Sequence, residues 1–120
     1  MTRSWLALTM TLLATCAPLE PGTPVGPEEI KADLVGKTWD VVLPNGRPAR
    51  EELKKDGTVV ITGGLSDVGK WRYWDKGYCT AWLRMRHGEE RCFTVDRTAG
   101  GQYRIYKPTG DLSMTIKGFM

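Results

Sequence analysis

Histidine, cysteine and long apolar runs are all scarce in this chain of 120 residues, which has one histidine, three cysteines and no stretch of eighteen consecutive apolar residues. The first scarcity argues against a metal cage built on histidine, the second against a dense disulfide scaffold, the third against a transmembrane helix. A large charge of one sign is missing as well. Lysine plus arginine number 17 against 14 aspartates and glutamates, a formal +3, too small a surplus to indicate a nucleic-acid binder. What remains is ordinary for one globular domain: 41% hydrophobic and 26% charged residues. Neither metal nor cofactor is expected.

The first residues read as an address. Arg3 supplies a positive charge, Trp5 to Ala14 is apolar apart from threonines, and Ala14-Thr15-Cys16-Ala17 follows with small side chains. This is the pattern of a secretory signal peptide. Pro18, Pro21, Pro24 and Pro27 come immediately after it, and no buried helix continues through such a series. Leu13-Ala14-Thr15-Cys16 resembles the bacterial lipobox, although Thr15 stands where that pattern prefers glycine, alanine or serine. The resemblance implies cleavage before Cys16 and lipidation of that cysteine. Ala17, in place of aspartate, implies sorting to the outer membrane. An ordinary signal-peptidase cut before Ala17 is the alternative. The expected division is therefore a signal peptide over 1–16, a Pro/Gly-rich tether over 17–27 and a single β domain over 28–120, exported to the periplasm.

Pro27 to Gly36 reads as a short helix, with proline in its first turn, Glu28 and Glu29 near its start, Ile30 and Leu34 one turn apart, and glycine to stop it. So short a helix needs something to pack on, which suggests a plug at the end of a sheet or barrel. From Lys37 onward, seven turn signals, from Asn45-Gly46 and Asp56-Gly57 to Gly100-Gly101 and Thr109-Gly110, separate short segments rich in Thr, Val, Ile and aromatics. These are eight expected strands: 38–43, 50–54, 58–62, 68–74, 78–85, 90–96, 102–106 and 111–117. Arg50 to Lys54 reads equally well as helix. Trp39, Val41 and Leu43, and again Leu112, Met114 and Ile116, alternate with polar residues, so one face of those strands is buried. The expected fold is mainly β, an antiparallel meander of about eight short strands. It forms either a small lipocalin-like barrel or a curved sheet, with the barrel preferred because closure removes exposed edges.

Cys16 leaves the thiol pool by acylation or by cleavage, so Cys79 and Cys92 remain as a pair, and in an oxidising compartment they form a disulfide. Closing a loop of that length stabilises by about 3 kcal/mol. The bond constrains register. It sets Thr80 opposite Arg91 and requires a longer, bent connection or a bulge, because a tight turn at His87-Gly88 would leave Cys92 about 13 Å from Cys79.

No catalytic set emerges. His87 sits in a turn, and the adjacent carboxylates Glu51-Glu52 and Glu89-Glu90 point to opposite faces of their strands and cannot share a proton. An enzyme would need a cleft with a perturbed carboxylate, for instance around Asp40. Gly63-Gly64 lacks the lysine and hydroxyl residue of a phosphate cradle. Arg84, Arg86, Arg91, Arg97 and Arg104 could form a basic patch for an anionic partner, diluted by Glu89, Glu90 and Asp96. Aromatic residues crowd the middle of the domain on both faces of its strands. Trp71, Trp74, Tyr78 and Trp82 are the candidate ligand- or partner-binding residues.

The series Leu34-Val35-Gly36-Lys37-Thr38-Trp39, Lys55-Asp56-Gly57-Thr58, Gly69-Lys70-Trp71, Tyr78-Cys79-Thr80-Ala81-Trp82 and Arg91-Cys92-Phe93 resembles small exported proteobacterial domains of unknown function. In those, a short helix and a Gly-x-Thr-Trp start lead into a β meander with a Gly-x-Trp strand and a Cys-x-x-Trp to Cys-aromatic pair. A looser likeness is to exported bacterial metalloprotease inhibitors, eight-stranded barrels with one disulfide and an N-terminal trunk; the cysteine and tryptophan spacing differs here. The resulting expectation is a non-enzymatic envelope domain, touching the membrane only through a lipid anchor, that binds a ligand or protein partner and no nucleic acid. A protease inhibitor acting through its N-terminal segment is the alternative.

Overall fold

The computed structural model describes residues 21–64 and 66–120. The expected signal peptide, Cys16 and the start of the tether lie outside them. The described chain runs β1 (Thr23–Val25), α1 (Pro27–Asp33), β2 (Thr38–Val42), β3 (Pro48–Leu53), β4 (Thr58–Thr62), β5 (Asp67–Trp74), β6 (Gly77–Trp82), a 3-10 turn (Met85–Gly88), β7 (Arg91–Arg97), β8 (Tyr103–Tyr106) and β9 (Leu112–Phe119). From β2 to β9 each strand pairs antiparallel with the next, and β9 returns to pair with β2. The eight strands therefore close into a barrel rather than an open curved sheet. Arg50 to Lys54, ambiguous by sequence, falls largely within β3, where Ala49, Glu51 and Leu53 all turn buried faces inward.

The expected tether is not all linker. Thr23–Val25 pairs with Arg97–Val95 as a ninth strand. The reason is a vacancy on the barrel wall: β6 pairs with β7 only from Arg91 to Thr94, so the backbone groups farther along that side of β7 need another partner. Pro24 is tolerated because β1 is a short edge strand. Gly22 precedes it against Asp96 and Arg104, where a Cβ would collide with both side chains.

Inward-facing residues make one core, with Trp39, Val41, Leu53, Val59, Tyr78, Val95, Ile105 and Ile116 almost wholly buried. Helix α1 plugs one end. Ile30 and Leu34 are fully buried there, and Trp39 donates its indole N–H to the Leu34 carbonyl at 2.9 Å. Tyr103 donates to Asp33 at 3.1 Å, and Arg97 pairs with Glu29.

Cys79 and Cys92 are directly opposed and bonded, with Thr80 opposite Arg91, as the sequence argument required. The bent connection is also present. β6 ends at Trp82, and the chain crosses to β7 through the 3-10 turn, in which Arg86 and His87 adopt left-handed backbone (φ 55° and 54°). Each such residue costs about 1 kcal/mol.

Candidate binding site in the barrel mouth

Opposite the α1 end, the β2–β3 turn, the Leu83–Glu90 connection and the β8–β9 turn surround an opening. Below it lies a cavity of about 340 Å³, walled by Ile61, Tyr78, Trp82, Phe93 and Met114 and reached past Leu43, Asn45, Met85, Arg86 and Lys107. Three buried polar residues, Glu51, Thr80 and Ser113, line this largely apolar interior. Glu51 is 2% exposed and Thr80 1% exposed. Glu51 Oε1 and Thr80 Oγ1 are buried with no hydrogen-bond partner. A buried polar atom left unpaired costs on the order of 1–3 kcal/mol, so a protein rarely keeps two in one place.

The register explains how they come together. Glu51 stands opposite Trp39 and Ile61, and Thr80 opposite Trp71 and Arg91, all on the inner face. Burial in this apolar setting pushes the Glu51 carboxyl up to about 8, against the opposing pull of the Arg86 charge. The same burial, reinforced by Glu51, holds the Tyr78 phenol well above its ordinary value. Arg86 lies at the rim with its guanidinium 5.9 Å from the Phe93 ring centre. Desolvation and the neighbouring Arg91 charge depress its affinity for a proton.

The connection carrying Met85 and Arg86 is pinned by Asp67, whose buried carboxylate accepts from the N–H groups of Met85 (2.8 Å) and Arg84 (3.0 Å) as well as Val68 (2.8 Å). Burial by itself would raise the Asp67 carboxyl, but these donors hold it below the usual carboxylate range. Asp67 thus fixes the position of this connection at the mouth.

The four aromatic residues singled out by sequence do not form one surface. Tyr78 and Trp82 line the cavity. Trp71 points inward near the α1 end, donating to the Lys54 carbonyl at 2.7 Å, and Tyr73 packs edge-on against it at 4.7 Å. Trp74, half-buried on the outer face, donates to the Phe93 carbonyl at 3.1 Å. The arginines are similarly dispersed: Arg84 against Ser66 and Asp67, Arg91 near Glu89, Arg97 on Glu29, and Arg104 on Asp96. Asp40 is exposed on the outer wall, and His87 is exposed in its turn. The disulfide lies on the outer side of the wall, with a Glu90 carboxylate oxygen within 4.8 Å of both sulfurs; Glu90 itself is held by Arg72 at 2.8 Å.

Sequence reasoning misses Glu51 as a site residue because it weighs Glu51 only together with Glu52, as a pair on opposite faces that cannot share a proton. The signal was present: Ala49, Glu51 and Leu53 share a phase of two, which sets Glu51 on the apolar face.

A larger groove of about 770 Å³ runs between α1 and β5, bordered by Lys31, Val35, Trp71 and Tyr73. It contains no buried polar atom without a partner among the described residues. Compared with models of known protein families, with curated proteins and with solved structures, the chain matches none.

Proposed function

We propose that this is a non-enzymatic, exported envelope domain, anchored by a lipid on Cys16, that binds a small organic ligand in the mouth of its barrel. The observation that carries the binding reading is the pair of unpartnered buried oxygens, Glu51 Oε1 and Thr80 Oγ1, facing one apolar cavity that opens to solvent. Such cavities, mostly apolar with a few polar groups that fix orientation, are the usual form of a small-molecule site. The Cys79–Cys92 bond supports an oxidising compartment. The protease-inhibitor reading needs a free segment ahead of the barrel, and part of that segment, Thr23–Val25, is instead paired along β7.

Two measurements test the proposal. Intact mass of the mature protein from membrane and soluble fractions should show a membrane-bound species that begins at Cys16 and carries acyl mass; a soluble species beginning at Ala17 would remove the anchor. A fragment screen by protein NMR, using acidic, basic and neutral fragments, should shift resonances of Thr80, Trp82, Met85 and Met114. Hits confined to the groove beside α1 would move the site out of the barrel.

A further inference from the structure

We propose that the barrel mouth takes a small organic acid, with its carboxylate at the rim beside Arg86 and Lys107 and a hydroxyl at its other end bonded to Glu51 and Thr80. The inference rests on reading the barrel as a ligand-binding domain and specifies the chemistry of what it binds.

Three observations converge on it. At the rim, both charged residues are cations, and Glu51 is the sole carboxylate that lines the cavity. Among the described residues neither Arg86 nor Lys107 forms an ion pair with a carboxylate. An incoming anion would therefore find two positive charges that form no ion pair with a carboxylate, one of them partly desolvated, a setting in which an ion pair is stronger than on open surface. At the inner end, the two oxygens without partners belong to a carboxyl group and an alcohol. Burial leaves the Glu51 carboxyl protonated at neutral pH, so this end offers both a donor and an acceptor without net charge. A ligand hydroxyl, itself donor and acceptor, satisfies both. An ammonium group would do so only by ionising Glu51 inside apolar walls and by passing two cations at the rim. Between the two ends, Ile61, Tyr78, Trp82 and Met114 provide an apolar passage suited to a ring or short chain.

The test is isothermal titration at pH 7 of the disulfide-intact protein with three probes of one shape: 4-hydroxyphenylacetate, phenylacetate and tyramine. 4-Hydroxyphenylacetate should bind most tightly. Phenylacetate, without the hydroxyl, and tyramine, with an amine in place of the acid, should each bind about tenfold more weakly, the effect of one buried hydrogen bond or one ion pair. Thr80→Val, which keeps the shape and removes an oxygen that has no partner in the protein, should abolish most of the preference for the hydroxylated acid. Arg86→Gln should weaken both acids about tenfold and leave tyramine unchanged. Tyramine binding as tightly as the hydroxy acid would overturn the proposal in favour of a cation site on Glu51, and an undiminished hydroxyl preference in Thr80→Val would overturn the inner contact. If none of the three probes binds, the proposal falls. The broader reading stands or falls separately, on whether other fragments shift the resonances at the mouth.

Discussion

At the α1 end of the barrel the polar groups are closed among themselves: the Trp39 indole N–H on the Leu34 carbonyl, Tyr103 on Asp33, Arg97 on Glu29. At the mouth, Glu51 and Thr80 each keep an oxygen with no partner, and Arg86 and His87 hold left-handed backbone conformations. One end is finished by the fold, while the other carries desolvation and backbone strain that the fold does not relieve. Proteins keep such departures from local consistency where something other than stability is selected. The contrast supports the proposed site at the mouth in a way that the aromatic content does not, because aromatic residues are found at both ends.

The contrast can be broken in four ways. The largest effect concerns Glu51. Its folded-state carboxyl titrates near 8 rather than near 4.5, so the folded protein holds a proton that the unfolded chain releases, and stability falls as pH rises between those values. Between pH 5 and pH 8 the loss attributable to Glu51 is about 4 kcal/mol. Urea unfolding at the two pH values should show this slope in the native sequence and a much flatter one in Glu51→Gln. Parallel curves would mean that Glu51 is not held neutral. Next, Leu34→Ala empties the plug at the closed end and should lower stability by about 3 kcal/mol, while the NMR resonances of Trp82 and Met114 at the mouth stay in place; their collapse would show that the two ends are not independent. A smaller loss, about 1–2 kcal/mol, is expected for Trp39→Phe, which deletes a buried donor and leaves the Leu34 carbonyl only the longer bond from the Lys37 N–H at 3.4 Å. The smallest effect has the opposite sign. Thr80→Val should raise stability by about 1 kcal/mol, since a hydroxyl with no partner is replaced by a methyl group of the same shape. A destabilised Thr80→Val would show that the hydroxyl is bonded within the empty barrel after all.

Much of the barrel was legible in the chain because turns and pleats are local. Asn45-Gly46, Asp56-Gly57 and Thr109-Gly110 fall between strands as their turn chemistry requires, and the cysteine pair dictated the register of β6 against β7 and the bent connection beyond Trp82. Barrel closure was a preference rather than a deduction, since the β2–β9 pairing joins the two ends of the domain and no local signal encodes it. β1 was hidden for a related reason. Thr23-Pro24-Val25 has the composition of a linker, and it becomes a strand only because β7 outruns β6. The site was the least legible feature. Trp71, Trp74, Tyr78 and Trp82 were chosen for ring chemistry, which does not report on whether a group is satisfied. Glu51 and Thr80 became visible as a pair only when three strands, β4, β5 and β6, had carried Thr80 around the wall to face the same interior.

The placement of β1 also sets a direction. Thr23 pairs with Arg97, beside the helix-plugged end, so the described chain enters the barrel wall at that end and not at the mouth. From position 16 to Gly22 is six residues, a span of at most about 20 Å. If Cys16 carries the proposed lipid, that short reach ties the plugged end, and not the mouth, to the bilayer.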